Sequence, residues 1–428
     1  MDRSSTAGVS PADAKARLRD FPGYGKLWTA TTVSDFGTQV TTLALQVLVV
    51  VTLHASATEV GVINASRWVP YLCFGLLAGV LADRYRRRPI LVGTDLGRAA
   101  LLVLIPGLAA VGWLSIPVLA AFMVVFGVLS LLNDAAYQSF LPGLVTPTAL
   151  TRANARLEQS ASVARTTGPA LAGGLVTALG APLAVIVDAV SYLGSGLILA
   201  TVRADEPPAP RAPGAPTGRS GLWAELREGV SWVYRHPMLA PYALTSHVWF
   251  VFNSMLVTVF VPYVLRDLRI GALGLGVAYA AGGVGGVLGG AVSGWAGRCL
   301  GVGRAVVAAQ CLFPLAFVVV VLSPAGAVAW GMVAAGQFLF GVAVGLGSPN
   351  ELSYRQSVTP DRLQGRMNTT IRSTNWGLIA LGAPAGGWVA DTIGNRAALW
   401  IGICGVAAAA VALALSPFRH ARITDALP

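Results

Sequence analysis

The chain has 428 residues, of which 55% are hydrophobic and only 11% charged, with a mean hydropathy of +0.66. A soluble domain carries roughly 25% charged residues, so this composition excludes a soluble enzyme, a nucleic-acid-binding domain and a disordered chain. The formal charge of +11 sits in short stretches between apolar runs, which is a topology signal rather than a phosphate-binding face.

Residues 1–26 are polar and mixed in charge, without the short apolar core of a cleaved leader; the first span is expected to direct insertion itself. Twelve apolar runs follow, each able to supply the roughly 20 residues of a membrane-crossing helix. Six begin near Leu27, Val60, Ile90, Ile116, Ser160 and Pro182, and six near Ala240, Leu273, Ala305, Ala327, Ile371 and Ala397. Between the sets, Glu206 to Gly221 holds Pro207, Pro208, Pro210, Pro213 and Pro216 and reads as a linker without helix or strand. Just after it, Trp223, Leu226, Val230 and Val233 share one helical face, as in a short helix lying on the membrane surface, or else at the start of the seventh span. The expected organisation is all-α: an N-terminal segment (1–26), a six-helix bundle (27–202), a linker with its surface helix (203–237), a second six-helix bundle (238–416) and a tail (417–428).

Alternate loops hold the arginines: Arg84, Arg86, Arg87 and Arg88; Arg152 and Arg156; Arg203 to Arg235; Arg298 and Arg304; Arg355, Arg362 and Arg366. The intervening loops have Arg266, Arg269 and Arg396. The positive-inside rule then places both termini and the linker in the cytoplasm. Cys73, Cys299, Cys311 and Cys404 show no paired spacing and read as packing residues, with neither metal nor disulfide. The chain also repeats itself. Asn133-Asp134 through Tyr137 is echoed by Asn350-Glu351 through Tyr354, and Val145-Thr146-Pro147 by Val358-Thr359-Pro360. Two halves of one build around a midplane site are therefore expected.

Charges and polar stripes inside spans mark the candidate site, because an intramembrane charge costs at least about 2.5–3.5 kcal/mol. Asp35 lies in the first span with Thr38, Gln39, Thr42 and Gln46 on one face, which must line a cavity rather than meet lipid. A carboxylate there can load and release a proton as its surroundings alternate, or be paired permanently. Arg67 is the expected counter-charge of Asp35, with an anionic substrate or the carbonyls near Pro70 as other partners. Arg165 and Asp188 form a second expected pair, unless Asp188 bonds between helices. The seventh span carries Ser246, His247, Asn253, Ser254 and Thr258, mirroring the first, and His247 has a proton-transfer pKa unless it is a packing residue. Trp68, Trp249, Phe252 and Trp376 are candidate walls of an apolar substrate pocket, or packing and interface residues. Gly282, Gly286, Gly290 and Gly294 repeat every four residues, a spacing for close helix contact.

The loop after the second span reads Gly79-Val-Leu81-Ala-Asp83-Arg84-Tyr-Arg86-Arg87-Arg88-Pro89. It resembles the signature of the major facilitator superfamily, with Arg86 where a glycine usually follows the Asp-Arg pair. Arg67-Trp-Val-Pro70, Gly168-Pro169 and Gln356 through Pro360-Asp361-Arg362 to Gly365-Arg366 are similar to the branch containing enterobactin exporters and macrolide-efflux proteins. Members of that branch mostly export drugs or siderophores. The resemblance implies a cytoplasmic gate in which Asp83, with Arg84, Arg87 and Arg88, holds a helix N-terminus across the two halves. Asp95 and Arg98 would extend that network. In the second half Gly294 through Gly297-Arg298 lacks the acid, so the gate is expected to be asymmetric. Asp134 and Glu351, at matching helix ends near arginine-bearing loops that include Arg366, are expected to form symmetric salt bridges. The fifth-span stretch Gly168-Pro169 to Gly173-Gly174 is similar to an antiporter motif. The fourth span lacks the arginine that drug exporters often use for proton coupling.

These readings converge on a proton-coupled exporter of a lipophilic or amphipathic small molecule in a bacterial cytoplasmic membrane. It would work as a monomer, with the bilayer, a small-molecule substrate and protons as partners and with no cofactor. An importer of a small polar solute remains an alternative, as does a membrane-embedded enzyme. No His-Glu-x-x-His, G-x-S-x-G or Gly-Lys-Ser/Thr element is present to support catalysis or an ATP pump.

Overall fold

Backbone amides in hydrocarbon must be satisfied within their own segment, which a helix does by itself. In the computed structural model, which describes residues 18–84, 86–203 and 219–422, helix is the only regular structure among the described residues. Residues 76–84 and 219–226 are described by their backbone alone. The first half comprises α1 (Pro22–Val47), α2 (Ala57–Arg84), α3 (Arg87–Ala110), α4 (Ile116–Phe140), α5 (Pro147–Leu179) and α6 (Ala181–Ala200). After α7 (Arg219–Arg235) come α8 (Leu239–Pro262), α9 (Gly271–Leu300), α10 (Val302–Val321), α11 (Ala327–Val358), α12 (Asp361–Ile393) and α13 (Asn395–Leu415). Proline in the first turn, where an amide has no partner to lose, opens α1, α4, α5 and α6.

Nine helical segments among the described residues are long and apolar enough to cross a membrane. Helices α2, α5 and α12, of 28, 33 and 33 residues, are not among them. These three carry Arg67, Glu158 with Arg165, and Arg372 with Asp391. Polar helices need protein neighbours in a bilayer, and they have them: α2 packs along α12, and α5 along α9. The two contacts exchange when the halves are exchanged, as a pseudo-twofold arrangement requires.

The duplication extends to backbone detail. Helices α1 and α8 each run into a π-helical turn, Leu48–Thr52 and Tyr263–Asp267. Each turn is followed by a non-glycine residue in the left-handed region, His54 at φ 51° and Arg269 at φ 55°. Gly180 and Gly394, at φ 79° and 93°, end α5 and α12 at equivalent places, where a side chain would be strained. Buried residues repeat too: Ala149, Ala153 and Leu157 on α5 answer to Leu363, Met367 and Ile371 on α12.

Those buried rows explain why α5 begins at Pro147 rather than near Ser160, and α12 at Asp361 rather than near Ile371. Polar turns with one apolar row extend both helices past their apolar runs. The cysteines also differ from expectation: all four are exposed on the helix surfaces and pack no core. Close packing between α9 and α11 depends on backbone approach at two glycine rows. A Cβ at Gly341 would lie 1.8 Å from the Gly282 carbonyl oxygen, and one at Gly285 would lie 2.1 Å from that of Phe338. Gly290 meets nothing within 4 Å, so the four-residue series is only partly the packing row; Gly285, Gly289, Gly341 and Gly345 complete the contact.

Helix α7 is a separate helix, not the start of the seventh span. Its Val233 is buried with Ala243, Met367 and Ile371 of α8 and α12, whereas Val230 is exposed; the side chains of Trp223 and Leu226 lie outside the described residues. The break before α8 is capped by His236, whose Nδ1 accepts from the Met238 and Leu239 amides at 3.2 Å each. Burial pushes the His236 pKa down, so the unfolded chain takes up a proton first as pH falls from 7, and the corner loses stability.

Two outcomes are expected for purified protein followed by thermal melting. Gly341→Leu will abolish the monodisperse folded species, because the overpacked contact is backbone on backbone. His236→Ala will cost about 1 kcal/mol, the worth of a cap, and will remove the acid-sensitive part of the melting profile that the wild type shows below its ordinary histidine range.

Candidate functional site

Helices α1 and α5 face α8, α9, α10 and α11 across a cavity of about 640 Å³. From the first half, Gln39, Thr42, Gln46, Ser162, Arg165, Thr166 and Glu158 line it; from the second, Tyr279, Gln337 and Ser348. The remaining wall is apolar, with Phe260, Phe317, Phe340 and Val344 among glycines of α9 and α11. The stripe on α1 therefore faces a cavity as its spacing demanded. Gln46 also links the halves, its Oε1 accepting from the Tyr279 hydroxyl at 3.2 Å. Thr38 departs from the stripe and bonds the Tyr192 hydroxyl at 3.0 Å, toward α6.

The charge in this cavity is organised differently from expectation. Arg165 bonds Glu158 and, at 3.0 Å, the Ser162 hydroxyl, all on one face of α5. Asp35 is not among the residues that line the cavity; the charged groups that act on it are Arg165 and Glu158 rather than Arg67, at a distance and without direct pairing. Glu158 was missed because the fifth span was taken to start after it; its spacing of seven from Arg165 is two helical turns. The side chains of Arg165 and Glu158 are 52% and 70% exposed, and α5 starts beside the first helix, where the Tyr24 hydroxyl bonds the Ala153 carbonyl. Two carboxylates in the field of one guanidinium leave one negative charge until a proton or cation joins them.

Asp188 does not pair with Arg165. It is fully buried, accepts from the Ser191 hydroxyl of its own helix at 2.8 Å, and lies where Gly37 lets α1 come close to α6. Arg67 lies 5.6 Å from the Phe126 ring centroid and 5.9 Å from that of Trp68. Arg67, Arg98 and Arg372 act together on Asp134.

The gate candidates are also redistributed. Asp95 pairs with Arg98, accepts from Ser195 at 2.6 Å and from Asn133 at 3.2 Å, and the Arg98 guanidinium stacks 4.2 Å from the Tyr192 ring centroid. All of these belong to the first half, so the network stabilises one half rather than bridging two. Asp134 and Glu351 form no salt bridges: each accepts from a tyrosine, Tyr71 at 2.9 Å and Tyr242 at 2.8 Å. A phenol satisfies a buried carboxylate without the desolvation of a second charge. Arg88 bonds the Leu199 and Ala200 carbonyls that end α6, a cap that also suits the helix dipole. Arg87 opens α3, and Arg366 pairs with Glu228 of α7. The side chains of Asp83 and Arg84 lie outside the described residues.

In the second half His247 bonds Tyr234 of α7 and Asn375 of α12, both at 2.7 Å, a tie between three helices. Trp249 packs 4.9 Å from the Phe313 centroid, and Trp376 packs on Trp68 and Tyr71 at 5.3 and 4.9 Å. Neither these tryptophans nor Asn253 lines the cavity. The aromatic wall is Phe260, Phe317, Phe340 and Tyr279 instead. Among the described residues no group of three or more His, Cys, Asp or Glu is placed to hold a metal ion.

The end of the bundle away from the termini is sealed by contacts the sequence did not announce. Ser56 and Glu59 form a capping box at the start of α2, and Asp391 of α12 accepts from the Ala57 and Thr58 amides at 2.9 Å each. Arg266 donates to the Val50 and Ala55 carbonyls at 2.8 and 2.6 Å. Both ties join one half to the other.

Long helices in two repeated halves, tied together at one end and enclosing a cavity between them, are the build of a membrane transporter. A family model described as transmembrane secretion effector matches residues 18–428, and the chain belongs to that family of major facilitator superfamily transporters. Among curated relatives, an uncharacterized MFS-type transporter, y4rN of Sinorhizobium fredii, is 29% identical over 94% of this chain and 96% of that protein. The staphyloferrin A transporter of Staphylococcus aureus is 29% identical over 33% of this chain and 36% of that protein. The fold is shared with the nucleoside transporter NupG (11% identity, 92% of this chain and 98% of that one, TM-score 0.72). It is also shared with a bacterial homologue of the iron transporter ferroportin in an inward-facing state (16% identity, 94% and 99%, TM-score 0.69).

Asp391→Asn will loosen the seal. Loss of the charge-assisted bonds to two amides, about 1.5 kcal/mol, is expected to raise labelling of a Thr42→Cys thiol by about tenfold. The check is a reagent applied from the sealed face in a background without native cysteines.

Proposed function

We propose that this chain is a proton-coupled exporter that moves lipophilic or amphipathic small molecules, drug-like or siderophore-like, by rocking two six-helix bundles about the α2–α12 and α5–α9 contacts. All twelve long helices cross the cytoplasmic membrane of a bacterium in this reading, with α2, α5 and α12 shielded by their neighbours. Both termini are cytoplasmic, as the arginine distribution supports, and the structure is then the inward-open state. In this reading the protein works as a monomer.

The observation that carries the reading is the Arg165–Glu158 pair in a largely apolar cavity, with Asp35 close enough to feel both. An apolar wall with few polar groups favours a lipophilic or amphipathic cargo over a small polar solute, which would need its hydrogen bonds replaced. The excess carboxylate is a proton carrier: it is neutral when loaded and charged when emptied. The relative that transports staphyloferrin A supports a siderophore-like cargo as one form of this substrate class. The second charge group, Asp134 with Arg67, Arg98 and Arg372, supports a role in linking the halves, because Arg372 comes from α12 and the other three residues from the first half.

The test is accumulation of a panel of dyes, antibiotics and siderophores in efflux-deficient bacteria. Expression of the wild type should lower accumulation, and an uncoupler, Asp35→Asn or Glu158→Gln should each abolish that effect. Export that persists in both variants would remove the coupling site from this account, and no change for any compound would remove export.

A further inference from the structure

We propose that the groove between α7 and the start of α12 binds the phosphate headgroup of an anionic phospholipid in the cytoplasmic leaflet. This rests on the topology given above, which puts α7 at the cytoplasmic surface. The groove measures about 690 Å³, and Arg227, Ser231, Trp232, Arg235, His236 and Leu363 line it. Arg227 and Arg235 are exposed, stand two helical turns apart, and have no carboxylate partner among the described residues. Glu228, the acid that also borders the groove, is engaged by Arg366.

The donors suit a phosphate. His236 Nδ1 already accepts from two backbone amides, which leaves the proton of the neutral ring on Nε2 as a donor. Ser231 contributes a hydroxyl. Trp232 is held by its indole N–H on the Thr359 hydroxyl at 3.3 Å, an anchored aromatic of the kind found at headgroup depth. Val230, 43% exposed on the neighbouring turn, offers an apolar surface to an acyl chain. The groove stands where α8 enters the bundle, at the level that headgroups occupy, and that position selects a lipid over free phosphate.

An occupant there would act on the moving parts. Helix α7 is tied to α12 through Glu228–Arg366 and through Gly229, which sits on Arg366 and Thr370, and to α8 through Tyr234–His247. A bound headgroup places one negative charge between Arg227 and Arg235, offsets their repulsion, and thereby holds α7 against the helix that contacts α2.

The experiment is native mass spectrometry of the full-length purified chain with dioleoylphosphatidylglycerol or dioleoylphosphatidylcholine added. The wild type should retain phosphatidylglycerol preferentially, and loss of each arginine should weaken retention about fivefold, the contribution of one basic residue near an anionic surface. Arg227→Gln with Arg235→Gln is the main variant, its fold checked by melting in detergent. Ser231→Glu, which places a like charge among the donors, should lose the same lipid while phosphatidylcholine retention stays unchanged. Equal retention of the two lipids by the wild type, or undiminished phosphatidylglycerol retention in the variants, would overturn the proposal. Displacement of the lipid by millimolar inorganic phosphate would overturn it in favour of a free anion. Retention is read without transport, so failure of the export reading and failure of this site are separate results.

Discussion

The Arg165–Glu158 pair in the wall of an apolar cavity, with the Asp35 carboxylate within its field, is the constraint on which the rest of this molecule depends. Arg165, Glu158 and Asp35 cannot all be charged in a closed, low-dielectric chamber without an unbalanced negative charge. Water at the open end relieves that imbalance in this state. In the proposed cycle, a proton or a cationic group takes its place when the opening closes. The same apolar wall that suits an amphipathic cargo makes this charge costly, so occupancy of the site and the state of the gate are linked through one free energy.

The duplicated halves supply the motion, and their differences supply its control. Backbone features recur to the residue: the π-helical turns after α1 and α8, the left-handed residues His54 and Arg269, and the terminal glycines Gly180 and Gly394. The contacts between halves do not recur in the same way. Helix α12 meets α2 through a carboxylate on two free amides. At the equivalent place on α5 stands Thr177, whose hydroxyl bonds the Gly173 carbonyl of its own helix instead of reaching α9. Both interfaces are thus glycine bearings, since Gly61 and Gly387 bring α2 and α12 together as Gly276 and Gly173 do α9 and α5, and α2–α12 alone adds an electrostatic latch.

Much of this was legible in the sequence because the bilayer admits so few solutions. The all-helical build, the repeat around Asn133 and Asn350, and the cavity face of Gln39, Thr42 and Gln46 follow from hydropathy and helical period. What was not legible is which charge meets which. Arg67 and Arg165 are equally apolar-flanked arginines, and only the rotation of α2 and α5 sends one to Asp134 and the other to Asp35. Glu158 was hidden because α5 runs a dozen residues beyond its apolar run on a narrow buried row. Asp391 stands near the end of α12 with nothing local to mark it, and its partners are amides more than three hundred residues away. The tyrosines that meet Asp134 and Glu351 come from α2 and α8, which are not equivalent helices, so a symmetric reading of those two acids could not succeed.

The most direct test is the distance between spin labels at the two ends of the α5–α9 pair, measured by double electron–electron resonance in lipid nanodiscs. Labels on Ala155→Cys with Trp295→Cys report the open end, and labels on Leu179→Cys with Leu273→Cys the sealed end. The account predicts that the two distances change in opposite directions between neutral and acidic pH, and that Asp35→Asn removes the response. Distances that stay fixed, that move together, or that respond to pH unchanged in Asp35→Asn would contradict it.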